Sequence, residues 1–175
     1  MHPLSLFKYC PKCGSGHFVE NNFKSKKCED CGFVYYFNSS AAVVAVIVSP
    51  SRELLVGTRA FEPAKGTLDL PGGFVDLHES LEDAVLREVK EETNLNVVDA
   101  KYLFSMDNLY MYSGFQVETA DAFFLCKVDN IDALKAEDDV AKLEFINAKD
   151  LDPERFGLMS VRRGVSRILK EGILK

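Results

Sequence analysis

The chain of 175 residues has no tryptophan and only five cysteines, six prolines and four methionines. No low-complexity tract and no internal repeat is present, which excludes a solenoid or repeat array. No apolar stretch approaches the roughly 20 residues of a membrane-spanning helix. Met1 to Tyr9 lacks an apolar core long enough for a secretory leader. The expectation is therefore a cytoplasmic, reducing setting, where disulfides are rare. Positive charge is also in short supply: 21 Lys and Arg stand against 27 Asp and Glu, for a net charge of −6. The balance is uneven. Residues 1–38 carry five lysines against three acids, a net +2, which leaves −8 for the remainder. An acidic body argues against nonspecific binding to nucleic acid, so nucleic acid is not an expected partner. The length allows one full domain and a small module.

Four of the cysteines fall as Cys10-Pro-Lys-Cys13 and Cys28-Glu-Asp-Cys31, with 14 residues between the pairs and a glycine after each. That spacing is a strong zinc signal. Four thiolates close a tetrahedral shell with no position left for water, so such a zinc is structural. A segment this short cannot bury enough surface to fold without a staple, and a zinc can supply roughly 10–16 kcal/mol. A disulfide pair or a redox dithiol is the competing reading, and the reducing setting disfavours it. Cys126 lies in the apolar run 122–128 and reads as a buried small hydrophobe. With four cysteines filling a shell, His2 and His17 receive no role, nor does His78 further on.

Residues 73–95 read GFVDLHESLEDAVLREVKEETNL. A helix over 79–93, at about 3.6 residues per turn, puts Leu81, Val85, Glu88 and Glu92 in one stripe with Glu91 beside it. Asp83, Arg87 and Lys90 fall on the opposite side. Carboxylates are costly to bury unless paired or bound to a metal. The spacing i, i+3, i+4 makes Glu88, Glu91 and Glu92 converge, and a divalent cation would relieve their repulsion. Pro71-Gly72-Gly73 just upstream supplies a sharp turn that can aim backbone groups at the acids. Arg87 offers a guanidinium to pair with one acid, with Glu79 as the candidate. A solvated acidic face is the bland alternative.

The stretch resembles the signature box of the Nudix hydrolases, G-x5-E-x7-R-E-U-x-E-E-x-G-U. Gly73, Glu79, Arg87, Glu88, Val89, Glu91, Glu92 and Leu95 match it. Asn94 replaces the family's glycine, and asparagine is the next best residue for a left-handed helix cap. The resemblance implies hydrolysis of a nucleoside diphosphate linked to another group, with Mg2+ or Mn2+ as cofactor. It implies that Glu88, Glu91 and Glu92 bind these ions, that the Gly72 carbonyl completes the coordination, and that Arg87 and Glu79 pair to hold the helix and its loop. Magnesium characteristically takes a few carboxylates, waters and substrate phosphates. The general base stays open between these glutamates and a later acidic cluster, Glu137, Asp138 and Asp139.

The coarse element reading supports a helix–sheet–helix sandwich. Ala41 to Val48 is a buried strand, 53–58 returns after a turn, and 97–106, 120–128 and 143–147 are further strands. Ser160 opens a last helix with Val161, Val165, Ile168 and Leu169 as its stripe. The expected class is α/β: a Nudix-type α/β/α sandwich with a mixed sheet over 39–175, preceded by a small zinc ribbon over 1–38.

A zinc ribbon before a Nudix domain is similar to the layout of NADH pyrophosphatases, which points to a homodimer. Of their motif Ser-Gln-Pro-Trp-Pro-Phe-Pro-x-Ser the serine and the spacing fit but the tryptophan and prolines are absent, which weakens the NADH assignment: the region reads Phe104-Ser105-Met106-Asp107-Asn108-Leu109-Tyr110-Met111-Tyr112. NADH, ADP-ribose and nucleotide sugars all stay open. Tyr110 and Tyr112 are candidates to stack on a base, or simply pack in a hairpin. A regulatory nucleotide-binding module and an RNA-cap-directed pyrophosphatase are the alternatives.

Overall fold

The computed structural model describes residues 2–136 and 140–174, in two compact units, residues 1–39 and 40–175. Glu137, Asp138 and Asp139 lie outside the described residues. In the first unit, β1 (Phe18–Asn22), β2 (Ser25–Cys28) and β3 (Val34–Tyr36) form an antiparallel sheet in chain order. Its small core consists of Cys10, Phe18 and Cys28, with Cys31 and Phe33 against them. Two turns of matching form carry the cysteines. The N–H of Gly14 donates to Cys10 O at 2.8 Å and that of Gly32 to Cys28 O at 3.0 Å. The first cysteine of each turn donates to a carbonyl five residues on, Ser15 O and Phe33 O, both at 2.8 Å.

The second unit begins with β4 (Ser40–Ile47), the buried strand read from its β-branched run. A turn over 49–52 leads to β5 (Glu53–Arg59), and β6 (Leu68–Asp69) precedes the glycine loop. Next come α1 (Leu81–Thr93), β7 (Val97–Tyr112), β8 (Phe115–Val128), β9 (Val140–Asn147) and α2 (Met159–Glu171). The strands pair in the orders β4-β8-β7 and β6-β5-β9. β4 runs parallel to β8, whereas β7 and β8 form an antiparallel hairpin, so the sheet is mixed.

Side chains alternate along β4, and each face meets a different helix. Val43, Ala45 and Ile47 pack with Ala84, Val85 and Val89 of α1. Val44 and Val46 pack with Val161, Val165 and Ile168 of α2. Leu169 of the expected stripe is only partly buried. A Cβ on Gly164 would lie 2.4 Å from the Phe123 ring, so α2 needs glycine there to approach the sheet. This is the helix–sheet–helix sandwich expected for the Nudix class. Several boundaries differ from the expected ones: β8 and β9 start at Phe115 and Val140 rather than at 120 and 143, and two other shifts have a clear local cause. The first helix starts at Leu81 rather than Glu79, because the Ser80 side chain accepts from Asp83 N and caps it. The strand expected over 97–106 continues to Tyr112, because its ladder with β8 closes only at the 113–114 turn.

Candidate active site

The glycine loop is tied to β4. Val43 N donates to Gly73 O at 2.9 Å and Ala45 N to Pro71 O at 2.7 Å. Gly72 has φ +150, and a Cβ there would lie 2.1 Å from Val43 O, so only glycine fits. Its N–H donates to Glu92 Oε2 at 3.0 Å, linking loop to helix. Asn94 ends α1 in the left-handed region, φ 59, and its N–H donates to Lys90 O.

Arg87 does not point away from the acids, as the helical projection has it. Its side chain is long enough to curl over the turn, and all five of its N–H groups find acceptors. Nε and Nη2 donate to the two Glu79 oxygens at 2.8 Å each, and Nη2 also donates to Phe74 O at 3.0 Å. Nη1 donates to Glu88 Oε1 at 2.8 Å and to Glu91 Oε2 at 3.1 Å. The paired guanidinium, helped by the Asp76 N–H, holds Glu79 down at about 2. The same network, led by Glu79, raises the Arg87 pKa.

Glu88 and Glu92 thus lie against the glycine loop while Glu91 contacts Arg87, and among the described residues the three carboxylates do not gather into one ligand group. The Arg87 guanidinium stands between Glu88 and Glu91, and Glu92 turns to the Gly72 N–H. Glu88 and Glu92 are largely shielded, whereas Glu91 is half exposed. A donor set of shielded carboxylates beside loop backbone suits a hard divalent cation.

A cleft of about 330 Å³ opens from this loop. Gly72, Gly73 and Phe74 line one part, and Asn108, Thr119 and Asp121 another. Tyr112 also lines it; the Tyr110 side chain lies outside the described ones. Arg59 borders the cleft, held by Asp69 at 2.5 Å and by Pro63 O at 2.8 Å. Sequence reasoning missed Arg59, Asn108, Thr119 and Asp121 at the cleft, and Ser160, which donates to Asp121 from behind it. For Asn108, Thr119 and Asp121 the one signal was a polar residue on a strand of otherwise apolar pattern. His78 is exposed and has no place in the cleft.

In the first unit the four cysteine sulfurs all lie within 4.8 Å of one another, the one such ligand group among the described residues. Cys10–Cys31 and Cys13–Cys28 sulfurs are 3.8 and 3.6 Å apart. That is far beyond the about 2.05 Å of a disulfide. It matches the about 3.8 Å edge of a tetrahedron with zinc–sulfur bonds of about 2.3 Å. The thiols cannot all ionise unaided. The Cys31 N–H, opposed by burial, helps hold Cys28 at about 7. Cys13 rises to about 12 against the Ser15 N–H, because the neighbouring sulfurs, Cys31 first, crowd it. Cys126 is buried, as expected, and burial pushes its thiol up to about 12.

Residues 38–165 match the NUDIX domain, and the chain belongs to the Nudix hydrolase family. It is 29% identical over 104 residues to an NAD-capped RNA hydrolase NudC of Vibrio parahaemolyticus, covering 59% of this chain and 39% of that protein. To the protein of that description from Stutzerimonas stutzeri it is 26% identical over 153 residues, covering 79% and 55%. The chain thus spans between about two fifths and just over half of these relatives. A crystal structure of a NUDIX hydrolase from Nitrosomonas europaea superimposes with a TM-score of 0.71 at 19% identity, over 94% of this chain and 91% of that one. That likeness concerns the fold. No described helix is long and apolar enough to cross a membrane.

Proposed function

We propose that the chain hydrolyses the diphosphate linkage of a nucleoside diphosphate joined to another moiety, in the class of NADH, ADP-ribose or a nucleotide sugar. The carrying observation is the Gly72–Glu92 contact, which sets a carboxylate-bearing helix against a glycine loop at the edge of a nucleotide-sized cleft. Glu88, Glu91 and Glu92 would hold Mg2+ or Mn2+, with the Gly72 carbonyl as a further ligand. A bound ion of this kind neutralises phosphate charge and acidifies water. Arg87 and Glu79 position the helix and loop; they do not touch the reacting atoms. The Gly72–Glu92 bond fixes the loop. Tyr112, with Tyr110 beside it in sequence, would contact the base. Residues 1–38 would form a zinc ribbon held by Cys10, Cys13, Cys28 and Cys31, and 39–175 the hydrolase domain, in a cytoplasmic protein that pairs with a second copy.

An RNA-cap-directed pyrophosphatase is the second reading, favoured by what the NudC relatives are called. One panel tests both. The chain is incubated with excess Mg2+ or Mn2+ and NADH, NAD, ADP-ribose, nucleotide sugars, dinucleoside polyphosphates, nucleoside triphosphates or NAD-capped RNA, and mononucleotide release is read by chromatography. AMP and a nicotinamide mononucleotide from NADH or NAD support the dinucleotide branch. Cleavage confined to capped RNA supports the second reading. Tight nucleotide binding with no turnover would refute the hydrolase assignment.

A further inference from the structure

The cleft has a polar floor that the proposed chemistry leaves unused. The hydroxyls of Thr119 and Ser160 both donate to the Asp121 carboxylate, and all three residues are buried. Each oxygen of the Asp121 side chain thus has a hydroxyl donor. Asn108 pairs with Thr119 in the β7–β8 ladder and is only 5% exposed. Its Oδ1 is buried with no hydrogen-bond partner among the described residues. A buried amide oxygen left unmatched is costly, and such groups in native folds are generally satisfied by something. The remaining walls include apolar Val117, Leu158 and Val161 and the Phe74 and Tyr112 rings. A volume of about 330 Å³ lies at the small end of the range of roughly 300–1,000 Å³ for ligand sites.

We propose that Asn108 is a specificity-determining residue whose amide pairs with the N–H-bearing edge of a flat ring in the substrate. This rests on the reading that the cleft takes a nucleotide. The amide offers an acceptor and a donor side by side, the combination that matches the amino edge of adenine. The carboxamide of a nicotinamide presents the same N–H chemistry. A ring lacking that N–H leaves Oδ1 unmatched.

The test is calorimetric binding to the full chain with Mg2+, using two matched pairs of ligands. AMP is compared with purine riboside 5′-monophosphate, which lacks only the amine. Nicotinamide mononucleotide is compared with nicotinic acid mononucleotide. In the wild type, one N–H-bearing member binds roughly tenfold or more tightly than its counterpart. The pair that shows the ratio identifies the ring. Asn108→Leu, of similar size, brings the ratio to near one by weakening only the N–H-bearing ligand. No selectivity in either wild-type pair, no binding of any of the four, or a ratio that survives Asn108→Leu overturns the proposal. The wild-type comparison holds even if the variant misfolds. Because binding needs no turnover, selectivity in a chain that hydrolyses nothing would sink the hydrolase reading and leave this one. Hydrolysis without selectivity would do the reverse.

Discussion

Arg87→Lys should destabilise the second unit measurably although it keeps the charge. The guanidinium makes five bonds, to Glu79 twice, Phe74 O, Glu88 and Glu91. An ammonium has three donors and no planar fork, so at least two of the five are lost, including one arm of the paired Glu79 contact. Hydrogen bonds to charged groups contribute about 1.5–3 kcal/mol each. With the side chain 25% exposed, solvent replaces part of that, and about 1 kcal/mol per lost bond is the discounted figure. The sum is about 2–3 kcal/mol, or roughly 6–9 °C in melting temperature for a unit of this length. Far-UV circular dichroism during heating reads it, and urea midpoints give an independent value. A melting temperature within 1 °C of wild type would refute the view that the fork, rather than the charge alone, ties helix to loop.

Three further outcomes are expected. Glu92→Gln keeps an acceptor for Gly72 N–H and the same shape, so the fold holds while turnover falls by roughly 10²-fold or more through lost charge stabilisation; steady-state assays on the accepted substrate decide, and near-normal turnover rejects Glu92 as a metal ligand. Cys13→Ser, or chelation, should unfold the first unit, release one zinc per chain measurable by a colorimetric chelator, and leave the main thermal transition in place; loss of that transition would mean the ribbon belongs to the main core. Glu79 has its carboxyl lowered from 4.5 to about 2, so its contribution is fully present above pH 4.5 and is lost as pH falls toward 2. Glu79→Gln should flatten the stability–pH curve in that window, and an unchanged acid slope would show that other groups govern it.

Much of this was legible in the chain, for local reasons. The β-branched run of β4 and the glycine after each cysteine pair carry their structure within a few residues. The loop–helix box does the same, down to the left-handed Asn94. What escaped the sequence depends on distance or reach. The polar floor draws Asn108, Thr119, Asp121 and Ser160 from two strands and the start of α2, and no local pattern joins them. The parallel pairing of β4 with β8 aligns Ser40 with Thr119, a match no window of sequence contains. The Arg87–Glu79 pair was legible, but the reach of the same guanidinium to Glu88, Glu91 and Phe74 O was not, because a helical projection assigns a side to a Cβ and a guanidinium lies several bonds further out.

β4 carries an unusual share of the design. Its two faces serve different helices. One edge is taken by β8, and the other receives Pro71 and Gly73. A strand occupied on all four sides has no permissive direction. One residue inserted within it would exchange the helix partners of every side chain beyond the insertion. The same slip would shift the glycine loop along the carboxylate helix. Insertions should be accepted at the Ser113–Gly114 hairpin tip and rejected throughout β4. Natural length variation in this architecture should therefore collect in the hairpin and spare the strand.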